Sequence, residues 1–184
     1  TLTDAAKLGA WLDKAIATAS QLGMNGFAIK GTPLYGGTEA EQAARREAAK
    51  LIVSKLSAGL RDDDLLIFEG DPAFVDTDDL DKLDYVVLNT ATIANAVDLK
   101  LYVTNVINNL ALAKDKLLLS AKVGSKLVSE EGDKLDAVAN MTDSVISVGP
   151  LGGLAIYNLS DDYFHTGMNY EVTRKAIQMM NSSR

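Results

Sequence analysis

Apolar residues recur three and four positions apart at the start of the chain: Leu8, Trp11, Leu12, Ala15, Ile16, Ala19 and Leu22. That is the period of an amphipathic helix with one core-facing side. Thr3 suits its N-cap, with Asp4 in the first turn, and Gly23 suits its C-terminal stop. The next apolar run, Gly26–Lys30, is too short for a helix and reads as a buried parallel strand. Side chains alternate along a strand, so Phe27, Ile29 and Gly31 share one face while Ala28, Lys30 and Thr32 share the other. A loop with Pro33 and further glycines reaches Gly37. Thr38-Glu39-Ala40-Glu41 is a capping box that opens a second helix. Ala44, Ala48, Leu51, Ile52 and Leu56 form its apolar side, and Gly59 ends it.

The same alternation continues. Asp62, Asp63 and Asp64 make a solvated turn before the strand Leu65–Phe68, which runs into Glu69-Gly70-Asp71-Pro72. A helical turn around Thr77–Lys82 leads to the strand Asp84–Leu88 and then to Asn89-Thr90. Val97–Leu112 is helical, and the strand Lys116–Ala121 ends near Lys122 and Gly124. A polar loop, Ser125–Asp133, precedes the helix Leu135–Val148, which Gly149-Pro150 stops. A last strand, Leu154–Leu159, is entered through Gly152-Gly153 and contains Tyr157-Asn158. An acidic and aromatic loop, Ser160–Gly167, leads to the closing helix Asn169–Met180. Strands that alternate with helices at this spacing predict a parallel α/β sheet with right-handed crossovers. Two architectures satisfy that order. One is a five-stranded doubly wound sheet; the other is the latter part of an eight-fold (β/α) barrel.

Composition narrows the function classes. The chain has 184 residues, 47% hydrophobic and 23% charged, which fits one globular domain spanning residues 1–184. Its net charge of -7, without a basic stripe, argues against nucleic acid or an anionic membrane as partner. There is no cysteine and one histidine, His165, which excludes thiolate and multi-histidine metal sites and argues against a Ser-His-Asp triad. No apolar run approaches a membrane span. The glycine-bearing loop from Gly31 to Gly37 lacks the phosphate-loop pattern, and Glu39 and Glu41 at the following helix start would repel an anion. No cofactor is implied. Helical pattern begins at once after Thr1, so upstream processing or truncation is expected.

Several segments, in order, resemble glycoside hydrolase family 18. Asn25-Gly26-Phe27-Ala28-Ile29-Lys30-Gly31-Thr32 is similar to that family's fourth strand, which carries the signature Asp-x-x-Asp-x-Asp-x-Glu. Asp84–Asn89 looks like its sixth strand. Gly152–Leu159 looks like its eighth, in the form found in the endo-β-N-acetylglucosaminidase branch. Leu66–Gly70 and the ending Asn169-Tyr170, Thr173-Arg174 and Ile177 are similar to a divergent bacterial subgroup of surface glycan-utilisation proteins. The resemblance implies a (β/α)8 barrel of which this chain covers about strands four to eight. The N-terminal part of the barrel would be missing from it. It also implies an N-acetylglucosamine-containing glycan as partner, and a bacterial cell surface or periplasm as location, which the residues themselves do not give.

The signature is degenerate here. Its three aspartates fall on Asn25, Ala28 and Lys30, and its glutamate falls on Thr32. In this family hydrolysis is substrate-assisted: the N-acetyl oxygen attacks the anomeric carbon, the glutamate protonates the leaving oxygen, and the preceding aspartate steadies the cationic intermediate. A threonine hydroxyl is too weak an acid for that role. Lys30 would put positive charge where positive charge must develop. Two such charges about 4 Å apart at an effective dielectric of about 20 repel by roughly 4 kcal/mol, about a thousandfold in rate. Family-type catalysis is therefore expected to be lost.

The candidate ligand contacts are Lys30, Thr32, Glu69, Asp71, Asn89, Tyr157 and Asn158, all at predicted strand ends. Structural readings stand beside them. Lys30 and Glu69 would form a buried ion pair, Asp71 would cap a turn before Pro72, and Asn89, Tyr157 and Asn158, with Thr90 weighed beside them as a further neutral sugar contact, would satisfy loop backbone. Tyr163 or Phe164 could stack on a sugar or simply pack against the last helix; Trp11 and His165 read as packing and hydrogen-bonding residues. The favoured function is glycan binding without hydrolysis. The runners-up are an active glycosidase with a relocated acid, Glu69, and a flavodoxin-like binding domain.

Overall fold

The computed structural model describes residues 4–31, 37–75, 77–148, 150–165 and 167–182. Five strands form one sheet: β1 (Gly26–Lys30), β2 (Leu65–Gly70), β3 (Tyr85–Leu88), β4 (Leu117–Lys122) and β7 (Gly153–Tyr157). Their order in the sheet is their order in the chain, β1-β2-β3-β4-β7. A doubly wound sheet reverses its order at a switch point, whereas barrel winding adds each strand beside the last. The doubly wound alternative and its flavodoxin-like variant are thereby set aside. Two short strands, β5 (Lys126–Val128) and β6 (Lys134–Asp136), form a separate antiparallel hairpin. The chain divides into two compact units, Thr1–Val86 and Val87–Arg184.

In the first unit, α1 (Ala5–Gln21) starts at Asp4, whose carboxylate accepts the Lys7 backbone N–H. The cap falls one residue later than expected, and Thr3 lies outside the described residues. Leu8, Leu12 and Ala19 are buried on one side of α1. Trp11, expected in the core, is 64% exposed. It sits on the flank of the stripe that those three residues define, and the neighbouring helix α2 (Glu39–Gly59) meets α1 at Gly9, Asp13 and Ile16 instead. The capping box of α2 forms as expected: Glu41 N–H donates to the Thr38 hydroxyl, and the Glu41 carboxylate accepts the Thr38 N–H at 2.7 Å. Val53 and Leu56 are buried on α2, and Gly59 comes so close to Ile16 that a side chain there would overlap it.

Strand β1 pairs in parallel with β2 in the register Lys30↔Glu69. It was expected to be buried, but it is the edge strand of the sheet and none of its residues is fully buried. On β2 the alternation is sharp. Leu66 and Phe68 are buried, while Leu65, Ile67 and Glu69 are partly or well exposed. The start of β3, which follows the short helix α3 (Thr77–Leu80), is clamped to β2 by Asp84, whose N–H donates to the Leu66 carbonyl and whose carboxylate accepts the Leu66 N–H at 2.7 Å. At the turn before β2, Arg61 holds Asp64 through Nε at 3.0 Å and a terminal nitrogen at 2.7 Å, and also reaches the Met24 carbonyl.

In the second unit, β4 pairs in parallel with β7 in the register Lys122↔Tyr157. Helix α4 (Ala96–Asn109) is capped by Asn95, and α5 (Ala137–Ser147) by Asp136. The hairpin β5–β6 replaces most of the expected polar loop, and it buries Leu127. The helix α6 (Leu159–His165) replaces the expected acidic, aromatic loop and is followed by α7 (Glu171–Ser182). Gly152 is required where it stands. Its N–H donates to the Leu117 carbonyl at 2.7 Å, and a side chain would collide with the Asp115 backbone.

A buried polar link joins the residues after β3 to β4. The Thr90 hydroxyl donates to the Ser120 carbonyl and accepts the Ser120 N–H, each at 2.7 Å, while the Ser120 hydroxyl accepts the Ala91 N–H at 2.9 Å. Thr90 and Ser120 are both fully buried. Replacing Thr90 by the isosteric valine would leave two Ser120 backbone groups unpaired away from water, which costs about 1–3 kcal/mol. Urea unfolding of Thr90→Val is expected to show that loss as a lower midpoint at unchanged slope; an unchanged midpoint would remove the link from the fold's supports.

The Arg61 hydrogen bonds hold the Asp64 carboxyl below its ordinary value of 3.8. A carboxylate whose folded pKa is depressed contributes stability above its unfolded pKa and loses it as pH falls through the lower folded value. The chain should therefore lose stability below about pH 4 with a slope that shrinks in Asp64→Asn. Denaturant midpoints measured from neutral to strongly acid pH check this, and identical slopes in the two proteins would count against it.

Candidate functional site at the strand ends

In the first unit the candidate residues gather at the C-terminal ends of β1 and β2. Residues in register on parallel neighbours share a face, so Lys30 and Glu69 lie side by side. Lys30 Nζ stands 2.9 Å from Glu69 Oε1. The predicted ion pair is present, but it is not buried: the Lys30 side chain is 72% exposed and that of Glu69 22%. The physical reason is the position of β1 at the sheet edge, where a long side chain can carry its ammonium group into water. The ladder continues past the pair, with the Gly31 N–H donating to the Glu69 carbonyl at 2.8 Å. Gly31 and Gly70 close around the ring of Phe68, and a side chain at Gly31 would come within 2.8 Å of that ring. Only residues without a Cβ allow the two strand ends to meet so closely over a buried aromatic.

Asp71 follows directly. Its carboxylate accepts the Ala73 N–H at 3.0 Å and caps the single 3₁₀ turn Pro72–Phe74. The turn-capping reading of Asp71 is thus realised. Thr32, the position matched to the family's acid, lies outside the described residues.

In the second unit, Asn89 ends β3 and is half-buried; its carbonyl accepts the Thr92 hydroxyl at 2.9 Å. Its side chain caps nothing. Thr90, weighed beside it as a ligand contact, instead points into the protein and is consumed by Ser120. Tyr157 ends β7 half-buried, and its carbonyl accepts the Val123 N–H at 2.6 Å. The Tyr157–Asn158 peptide bond is cis. Asn158 is exposed, and its side-chain amide donates to Asp161 at 3.3 Å.

Two residues of this region were not among the candidates. Lys122 is the register partner of Tyr157, so its side chain stands beside the tyrosine on the face that also carries Ser120 and Ala155. The signal was available, because β4 ends on a lysine just as β1 does. Asp162 is fully buried, and its two oxygens accept the Val172 and Thr173 N–H groups and the Thr173 hydroxyl at 2.6–2.9 Å. It caps the start of α7 from inside α6. Tyr163 packs edge-on against Phe164 and tilted against Tyr170, with ring centroids 4.7 and 5.2 Å apart. Phe164 remains 73% exposed, and the side chain of His165 lies outside the described ones.

A cavity of about 520 Å³ also lies in the second unit, lined by Val97, Lys100, Glu131 and Asp143 among others, and none of the strand-end residues lines it. Among the described residues, no group of three histidine, aspartate or glutamate side chains could hold a metal ion, and no helix is long and apolar enough to cross a membrane.

No protein-family model and no curated protein matches the chain. Solved structures do. A chitinase of glycoside hydrolase family 18 from Pseudoalteromonas aurantia superposes with a TM-score of 0.73 at 13% identity, over 95% of this chain and 69% of that one. A protein designated BT1044 gives 0.72 at 18%, over 95% and 59%. An endo-β-N-acetylglucosaminidase from Cordyceps militaris gives 0.67 at 16%, over 97% and 64%. The chain therefore has the α/β fold of family 18 structures and spans about three fifths of the length of BT1044. The likeness read from the strand-end motifs is matched by the fold.

Because Lys30 is mostly in solvent, its pair with Glu69 should add little to stability, less than about 1 kcal/mol. Glu69→Gln is expected to unfold within that margin of the parent in urea. A loss of several kcal/mol would mean that the carboxylate is a buried structural element instead of a group at an open strand end.

Proposed function

We propose that this protein binds an N-acetylglucosamine-containing glycan at the C-terminal ends of its strands and does not hydrolyse it by the family's mechanism. The observation that carries the reading is the Lys30–Glu69 pair. The position matched to the catalytic aspartate holds an ammonium group, and the strand end that would receive the sugar is occupied by a cation held at 2.9 Å from a carboxylate. An oxazolinium-like intermediate develops positive charge, and a lysine in that place opposes it. The other signature positions, Asn25 and Ala28, carry no acid either.

What is left suits recognition. Lys30 offers ammonium donors to sugar hydroxyls or to an acetamido oxygen, and Glu69 offers acceptors. Asn89, Tyr157 and Asn158 are amide and phenol groups at the strand ends of the second unit, the neutral donors and aromatic surface that sugars use. The fold likeness to a chitinase and to an endo-β-N-acetylglucosaminidase supports the choice of an N-acetylglucosamine-containing ligand. Such a module fits glycan capture at a bacterial cell surface or in the periplasm, with further β/α units completing the barrel.

The test pairs binding with turnover. Chito-oligosaccharides and N-glycans on an array should retain the protein, and Tyr157→Ala should weaken that binding about two- to tenfold, the range of one aromatic contact. A chitobiose reporter should stay intact. Reporter release that vanishes in Glu69→Gln would establish the active-glycosidase reading, and an array without signal would remove the glycan reading.

A further inference from the structure

We infer that the end of strands β4 and β7 selects an acidic glycan, one that bears a carboxylate or sulfate group, through Lys122 acting beside Tyr157. The inference rests on the glycan-binding reading and names the substrate class of its second-unit contacts.

The register Lys122↔Tyr157 puts an ammonium group and a phenol ring on adjacent strands, on one face, at the C-terminal edge of the sheet. Neighbouring strands lie about 4.8 Å apart, about the width of one pyranose ring. Lys122 is exposed, and among the described residues its side chain makes no ion pair or hydrogen bond. The lysine at the end of β1 differs, since Lys30 already has Glu69 as partner. A sugar ring laid on Tyr157 would therefore direct a carboxylate or sulfate substituent to an ammonium group that has no competing partner on the described residues. Ammonium to carboxylate or sulfate is a charge-assisted contact, stronger than the hydroxyl contacts of a neutral sugar.

The whole-protein field cannot supply such a preference, because the chain carries a net charge of -7 and repels anions at long range. Any preference for acidic sugars must come from a local cation.

Three soluble probes separate the possibilities: neutral chitotetraose, 6-O-sulfated chitotetraose, and a hyaluronan tetrasaccharide, which alternates N-acetylglucosamine with a uronic acid. Affinities are measured by calorimetry on the parent protein, Lys122→Gln, Lys122→Arg and Tyr157→Ala. The parent is expected to favour at least one acidic probe over the neutral one by about fivefold at low salt, the upper range of an exposed ion pair. The preference should disappear in Lys122→Gln, persist in Lys122→Arg, and fade at about 1 M salt, where the Debye length falls to about 3 Å. Tyr157→Ala should weaken all three probes. The sulfated and the uronic-acid arms show which anion is the better fit. Equal affinity for neutral and acidic probes, or a preference that survives in Lys122→Gln, overturns the inference and leaves glycan binding standing. Failure to bind any of the three overturns both.

Discussion

The constraint on which the rest depends is parallel strand pairing in chain order. A parallel pair cannot be closed by a tight turn, so each strand must be followed by a crossover, here helical and once with a hairpin added, before the next can be laid down. Each crossover returns the chain to the same starting edge, and the C-terminal residues of paired strands end side by side. In the first unit this brings Lys30 to Glu69, and in the second it brings Lys122 to Tyr157. Neither meeting depends on loop conformation. Both follow from register, which is fixed wherever alternate residues must point into a core, as Leu66 and Phe68 do on β2 and Leu119 and Ala121 do on β4.

Much of this was legible from the residues. The capping box Thr38–Glu41, the helix stop at Gly59 and the strand of residues 26–30 are local signals with local causes, and they stand where the pattern put them. The Lys30–Glu69 pair was legible as well, because strand alternation and a shared strand end leave those two side chains few other neighbours. Its exposure was not. Whether a strand is central or at an edge depends on what lies beside it, and the apolar run itself carries no such information.

The misses have distinct physical sources. The hairpin β5–β6 consists of three-residue strands flanked by polar residues, too short for any alternation to register. Helix α6 reads as a loop because its acidic residues suggest solvent, yet Asp162 is fully buried and serves as the cap of the following helix. Thr90 was weighed as a ligand contact because it follows a strand, but its hydroxyl bridges two backbone groups of a strand far along the chain, and only tertiary structure reveals that. Trp11 failed in the opposite sense: its spacing is helical, but it falls on the flank of the buried stripe. Lys122 could have been found from its likeness to Lys30, since both close a parallel strand. The position matched to the family's acid, Thr32, stands outside the described residues, and the positions matched to its aspartates hold Asn25, Ala28 and Lys30.

The central claim is that ligand is received at strand C-terminal ends and not at the helical cavity lined by Lys100 and Asp143. Amide chemical-shift mapping during titration with chitotriose tests it most directly. The account predicts perturbations concentrated at Gly31 and Gly70 in the first unit and at Val123 and Asn158 in the second. Shifts confined to the α4 and α5 residues around the 520 Å³ cavity, with those four amides unmoved, would contradict it.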